Sequence, residues 1–136
     1  LNTQDSAPAK IIAAKIRGSS GGLQGVKAIG WYMENFGRAQ VSCNLTDYTT
    51  TGPAQVFEAC KRQAARLGVK ATGCELVGLI PRQALLNAGK FYARDKALPP
   101  QDLIKLAVEK LNLNDVKPFR PHQQILEELL EQNQRA

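Results

Sequence analysis

Residues 19–50, SSGGLQGVKAIGWYMENFGRAQVSCNLTDYTT, carry the pattern on which the rest of the chain depends. They open on a glycine-bearing loop, Ser19-Ser20-Gly21-Gly22-Leu23-Gln24-Gly25. Glycine admits backbone conformations closed to bulkier residues and lets a ligand lie against bare main chain. The loop therefore reads either as a ligand edge or as a plain connector between a helix and a strand. Two alternating runs follow, 26–33 and 39–45, joined by a turn at Glu34-Asn35-Phe36-Gly37. That is a hairpin pattern. In the first run Ile29, Trp31 and Met33 share one face, with Ala28, Gly30 and Tyr32 on the other. In the second, Val41, Cys43 and Leu45 oppose Gln40, Ser42 and Asn44, because side chains alternate along a strand. The polar set is short-chained, which suits either solvent or the lining of a cleft. Gly30 in mid-strand marks a place where something approaches closely.

Upstream of the loop, residues 1–3 read as the tail of a strand. Asp5 or Ser6 suits a helix cap, with Pro8 in the first turn. The helix over 7–17 groups Ile11, Ile12 and Ile16, and Gly18 stops it. Downstream, Thr51-Gly52-Pro53 opens a helix with Val56, Phe57, Cys60, Ala64 and Leu67 at helical spacing. The run 69–80 reads as a third strand interrupted by Gly73 and Gly78. Pro81 opens a helix with Leu85, Leu86, Gly89 and Tyr92 inward, and Pro99-Pro100 breaks the chain. A helix over 101–111 aligns Leu103, Ala107 and Leu111. A stiff linker, Lys117-Pro118-Phe119-Arg120-Pro121, leads to a last helix with Ile125, Leu126, Leu129 and Leu130. The first part reads β-α-β-β-α-β, an α+β, ferredoxin-like split β-α-β sheet with helices on one face. The expected organisation is a core over 1–98 and a helical extension over 99–136. The first strand of that arrangement lies inside the sheet, so a longer polypeptide is expected to complete it. The start, Leu1-Asn2-Thr3, with neither methionine nor a signal-peptide pattern, adds to that expectation.

Composition narrows the function classes. The 136 residues suffice for one domain with a real core. No run approaches the roughly 20 apolar residues of a membrane span, so no membrane partner is expected. The net charge of +6 is scattered, without a dense Lys/Arg block, which argues against a dedicated nucleic-acid binder. A small polyanionic ligand remains compatible with it. Cys43, Cys60 and Cys74 are too widely spaced for a paired metal or redox motif. They suit free thiols in a reducing, cytoplasmic setting. With one histidine, His122, the sequence offers neither a metal set nor a Cys-His nucleophile pair. Asn44-Leu45-Thr46 matches the glycosylation acceptor pattern but falls inside an expected strand.

Two long segments carry a resemblance. RGSSGGLQGVKAIGWYMENFGRAQVSCNLTDY, residues 17–48, and TGCELVGLIPRQALLNAG, residues 72–89, resemble the C-terminal subdomain of the glutamate formiminotransferase family. The same domain forms the amino-terminal part of formiminotransferase-cyclodeaminases. The similarity runs from Leu1-Asn2, like the end of the family's Asn-Val-Asn-Leu strand, through Pro118-Phe119 to the last helix. It implies two ferredoxin-like halves with tetrahydrofolate, the co-substrate, in a cleft between them. It implies transfer of a formimino group from N-formimino-glutamate to N5 of tetrahydrofolate. The acid-base histidine of the family lies in the N-terminal half, so no catalytic residue is expected here; His122 matches no catalytic position. The partner implied is the N-terminal subdomain, in a parent protein expected to be a homodimer. The family's folate contact in this half falls at Leu23. Beside it, Gly21 and Gly22 would let the ligand reach main chain. Lys27 would attract a glutamate carboxylate, and Asn44 would donate and accept in the cleft. Each of these two also suits an ordinary strand surface. A non-catalytic ferredoxin-like binding module stands as the second reading. An RNA-binding sheet is a third, with only Trp31 or Tyr32 to support it.

Overall fold

The computed structural model describes residues 1–135 and divides into two compact units, Leu1–Thr72 and Gly73–Ala136. The first unit holds α1 (Ser6–Ile16), β1 (Val26–Met33), β2 (Arg38–Leu45) and α2 (Pro53–Arg66). The strands pair antiparallel, with Val26 opposite Leu45 and Met33 opposite Arg38. A single turn of 3-10 helix, Glu34–Phe36, closes the hairpin, and Gly37 exits it at φ 62°. That left-handed angle suits glycine.

Helix α1 begins where Asp5 accepts the Ala7 N–H at 3.0 Å, which satisfies a donor the first turn would otherwise leave open. It buries Ala9, Ile12, Ala13 and Ile16. Ile11, expected inward with Ile12 and Ile16, instead points outward at 45% exposure. At about 100° per residue, Ile11 cannot share the stripe that Ala9, Ile12 and Ile16 define. Burying Ile12 and Ile16 contributes about 2–3 kcal/mol each as an upper figure. Small residues set the depth of the contact. A Cβ on Gly30 would lie 2.2 Å from the Ala9 carbonyl carbon and 2.3 Å from the Lys10 nitrogen. The close approach expected at Gly30 is therefore the backbone of α1. Helix α2 begins at Gly52, whose N–H donates to Gln55 Oε1 at 2.7 Å. It adds Val56, Ala59, Cys60 and Ala64 to a core shared with Val26, Ala28 and α1.

Residues 1–3 are not a strand, yet they are held on both sides. Leu1 N donates to Ala39 O at 3.0 Å and Ala39 N to Thr3 O at 2.7 Å. On the other side Asn2 N donates to Lys70 O at 2.9 Å, and Lys70 N to Asn2 Oδ1 at 2.8 Å.

The second unit holds α3 (Arg82–Ala93), α4 (Pro100–Lys110), α5 (Pro121–Gln124) and α6 (Leu126–Arg135). α3 and α4 meet at Gly89, where a Cβ would stand 2.2 Å from Leu103 O. Leu85, Leu103, Ala107, Leu111 and Ile125 are buried. The compact units divide after Thr72, within the run expected as a third strand.

The expected third strand over 69–80 does not form. Its hydrogen bonds go to loops and helix ends: Cys74 N to Asn112 O at 3.3 Å, and Ile80 N to Gln124 O at 2.7 Å. Gly73 sits against Asn112 and Asp115 too closely for any side chain, and Gly78 turns at φ 78°. Only Ile80 keeps a strand-like bridge, parallel to Ile125. That bridge splits the expected last helix, because Ile125 adopts an extended ψ of 118° between α5 and α6. The sheet among the described residues is thus two-stranded. The architecture is α+β, and a split β-α-β sheet would need two further strands.

Candidate functional site

The hairpin has one covered face and one open face. α1 covers Val26, Ala28 and Gly30, and their cross-strand partners Leu45, Cys43 and Val41 lie on the same side. The other side carries Lys27, Ile29 and Trp31 of β1 opposite Asn44, Ser42 and Gln40 of β2. Ile29 is 62% exposed and Trp31 41%. Of the two alternating sets in β1, the bulkier one faces away from α1. Trp31 Nε1 donates to Gln40 Oε1 at 3.0 Å, which fixes the indole across the strands.

Two of the expected site residues come together here. Lys27 and Asn44 are direct register partners, both exposed, at the open end of the hairpin. Side chains so paired stand about 5 Å apart at Cβ. The glycine loop enters at the same end. Gly25, at φ 77°, offers its carbonyl to Thr46 N at 2.8 Å and to Thr46 Oγ1 at 3.0 Å. The loop and the exit of β2 are thereby clasped.

The loop residues divide in role. Gly21 adopts φ 84° and a Cβ there would meet nothing within 4 Å, so it borders open space. Gly22 is the reverse: a Cβ would stand 2.5 Å from the Ile16 carbonyl, so this glycine packs against the end of α1. Leu23 is half-buried and packs against the first unit's core. The N–H groups of Gly21, Gly22 and Leu23 donate to Gly18, Arg17 and Ile16 carbonyls at 3.0, 3.0 and 2.8 Å. The loop therefore uses these donors internally, and what it turns outward is shape and the exposed part of Leu23.

Asp47 was not singled out in the sequence, although Asp-x-Thr-Thr is a turn signature. Its carboxylate accepts from the Thr49 N–H at 3.1 Å and from the Thr49 and Thr50 hydroxyls, the latter at 2.8 Å. The Thr49 hydroxyl, with those further donors, holds the Asp47 carboxyl below its ordinary value. The turn following Asn44 is consequently ordered by an anion. Trp31 and Gln40 were also missed as a pair; their opposition at the same register was the available signal.

His122 lies in α5 of the second unit, with Nδ1 3.2 Å from Glu128 Oε2. No group of three or more His, Cys, Asp or Glu among the described residues is placed to hold a metal ion. No helix among them is long and apolar enough to cross a membrane.

Comparison with known proteins places this chain in a family. The formiminotransferase domain model matches residues 2–131. A formimidoyltransferase-cyclodeaminase of Sus scrofa is 42% identical over 113 residues, covering 81% of this chain and 21% of that protein. A glutamate formimidoyltransferase of Thermoplasma acidophilum is 34% identical over 110 residues, 81% of this chain and 36% of its own length. One from Streptococcus pyogenes serotype M1 is 39% identical over 92 residues, covering 68% and 31%. The chain therefore spans a fifth to about a third of these relatives. With the match running through nearly all of its residues, the chain belongs to the formiminotransferase domain family.

Proposed function

We propose that this chain is the folate-binding half of a glutamate formimidoyltransferase. The reaction is transfer of a formimino group from N-formimino-glutamate to N5 of tetrahydrofolate. The observation that carries the reading is the open hairpin face, where Lys27 and Asn44 stand as cross-strand partners beside the loop that holds Leu23. The exposed part of Leu23 offers apolar contact to a pterin or aminobenzoyl ring. The Lys27 ammonium attracts a glutamate carboxylate. The Asn44 amide donates and accepts at the ring edge. Together they orient N5 toward the carbon it attacks, a matter of positioning rather than of acid-base chemistry. Proton delivery to the departing amine belongs to a histidine of an N-terminal subdomain. This chain alone binds the folate and does not turn over. The partner subdomain, a cytoplasmic setting and a homodimeric parent are parts of the same proposal.

The same reading treats the first unit as a ferredoxin-like sheet. Residues 1–3 lie between Ala39 on one side and Lys70 on the other. That is where a central strand of the split β-α-β order belongs.

Trp31, the single tryptophan, shares the face with Lys27 and Asn44 and reports on it. Titration of the chain with 5-formyltetrahydrofolate is expected to quench its fluorescence saturably. Lys27→Gln is expected to weaken the binding up to about five-fold, the worth of an exposed charge pair. Saturable quenching that Lys27→Gln and Asn44→Ala leave unchanged would place the ligand elsewhere. A non-catalytic binding module remains the second reading; appreciable formimino transfer by the chain alone would overturn both.

A further inference from the structure

Cys43 and Cys60 lie far apart in sequence, on β2 and α2, and meet in the first unit. Cys43 stands opposite the buried Ala28, so its side chain points to the α1 side of the sheet. There it packs against the cluster to which Cys60 belongs. The two thiols are hydrogen-bonded to each other, and both are reduced. Cys60 is buried, while Cys43 is half-buried and is the more accessible of the two.

We propose that Cys43 and Cys60 are a redox modification site, closing to an intramolecular disulfide when the chain meets a hydroperoxide. The Cys43 thiolate attacks one oxygen of hydrogen peroxide and the O–O bond breaks; the departing hydroxide takes up the proton the thiol released, leaving a sulfenic acid and one water. The Cys60 sulfur then attacks the Cys43 sulfur and expels a second water. Two thiols are oxidised and one peroxide is reduced, with no further reactant. The hydrogen bond from Cys60 holds the Cys43 thiol below its ordinary value, against the opposing effect of burial. Thiolate character of this kind favours the first step. The product ties β2 to α2 across the segment that contains Asn44 and the Asp47 turn, so oxidation stiffens the edge of the candidate site.

The test treats the whole chain with hydrogen peroxide, blocks remaining thiols with N-ethylmaleimide, and maps the peptides without reduction. Trypsin leaves Cys43 and Cys60 together in residues 39–61, because no Lys or Arg lies between Arg38 and Lys61. A second cut after Glu58 separates them. The expected product is a Cys43–Cys60 linked pair, with Cys74 alkylated. A closed loop of about 18 residues is expected to raise Tm by about 10 °C, reversibly with dithiothreitol. Cys43→Ser should abolish the rise and Cys74→Ser should keep it. Alkylation of both Cys43 and Cys60 after peroxide, a sulfinic acid at Cys43 without a link, or a link through Cys74 would overturn the proposal.

Discussion

Replacing Gly30 by alanine tests how the hairpin is seated. The added carbon would stand 2.2 Å from the Ala9 carbonyl carbon, 2.3 Å from the Lys10 nitrogen and 2.4 Å from the Ala9 oxygen. All three are backbone atoms, so no side-chain rotation relieves the overlap. Ordinary contact begins near 3.4 Å, so α1 must retreat by about 1 Å. A gap of that size forfeits a quarter to a half of the dispersion attraction along the seam. Ala9, Ile12, Ala13 and Ile16 all bear on it. Overpacking of this kind costs about 1–3 kcal/mol. The residue exchange itself returns about 0.5–1 kcal/mol, since glycine is a poor strand former. The overlap wins, with a net loss of about 1 kcal/mol. For a chain of this length that lowers Tm by about 4 °C. Thermal and urea unfolding followed by Trp31 fluorescence would measure it. Gly21→Ala is the control, because its Cβ meets nothing and only the left-handed backbone is strained. A Gly30→Ala chain as stable as the parent would refute the idea that helix backbone occupies that space.

Three further outcomes follow from the same geometry. Asp5→Ala removes the acceptor for the Ala7 N–H and should cost about 1 kcal/mol, read as a fall in Tm of about 4 °C. Gly89→Ala sets a helix-propensity gain of about 1 kcal/mol against a Cβ 2.2 Å from Leu103 O. The overlap is with backbone, so urea unfolding should show a net loss rather than a gain. Asp47 has a depressed pKa through its threonine hydrogen bonds, so its contribution is present above its unfolded value and lost as pH falls through the lower folded one. Replacing Thr49 and Thr50 by valine should move the Asp47 titration up toward the ordinary range, as followed by carboxyl NMR. An unchanged midpoint would show that the hydroxyls do not set it.

Local pattern made much of the first unit legible. Alternation located both strands, and Asp5, Pro53 and Gly37 marked ends that the structure keeps. Which face of β1 is buried was not legible from hydrophobicity, because the bulkier set, Ile29, Trp31 and Met33, lies on the open face. The deciding fact is steric: Gly30 admits the backbone of α1 at Ala9 and Lys10, and only a nonlocal contact reveals it. The third strand failed for a related reason. Residues 69–80 have strand-like composition, but Gly73 and Gly78 serve a close approach and a turn, and their neighbours bond to loops far along the chain. At the candidate site, the pairing of Lys27 with Asn44 follows from the hairpin register. The division between Gly21, bordering open space, and Gly22, wedged against α1, does not, since the two glycines are adjacent and identical in sequence.

The claim at the centre of this account is that the open hairpin face and its entry loop hold a folate. Backbone amide NMR of the labelled chain, titrated with 5-formyltetrahydrofolate, examines it residue by residue. Progressive shifts concentrated at Gly21, Leu23, Lys27, Trp31 and Asn44 are expected. Shifts confined to the helices of the second unit, or a spectrum unmoved at millimolar ligand, would contradict it.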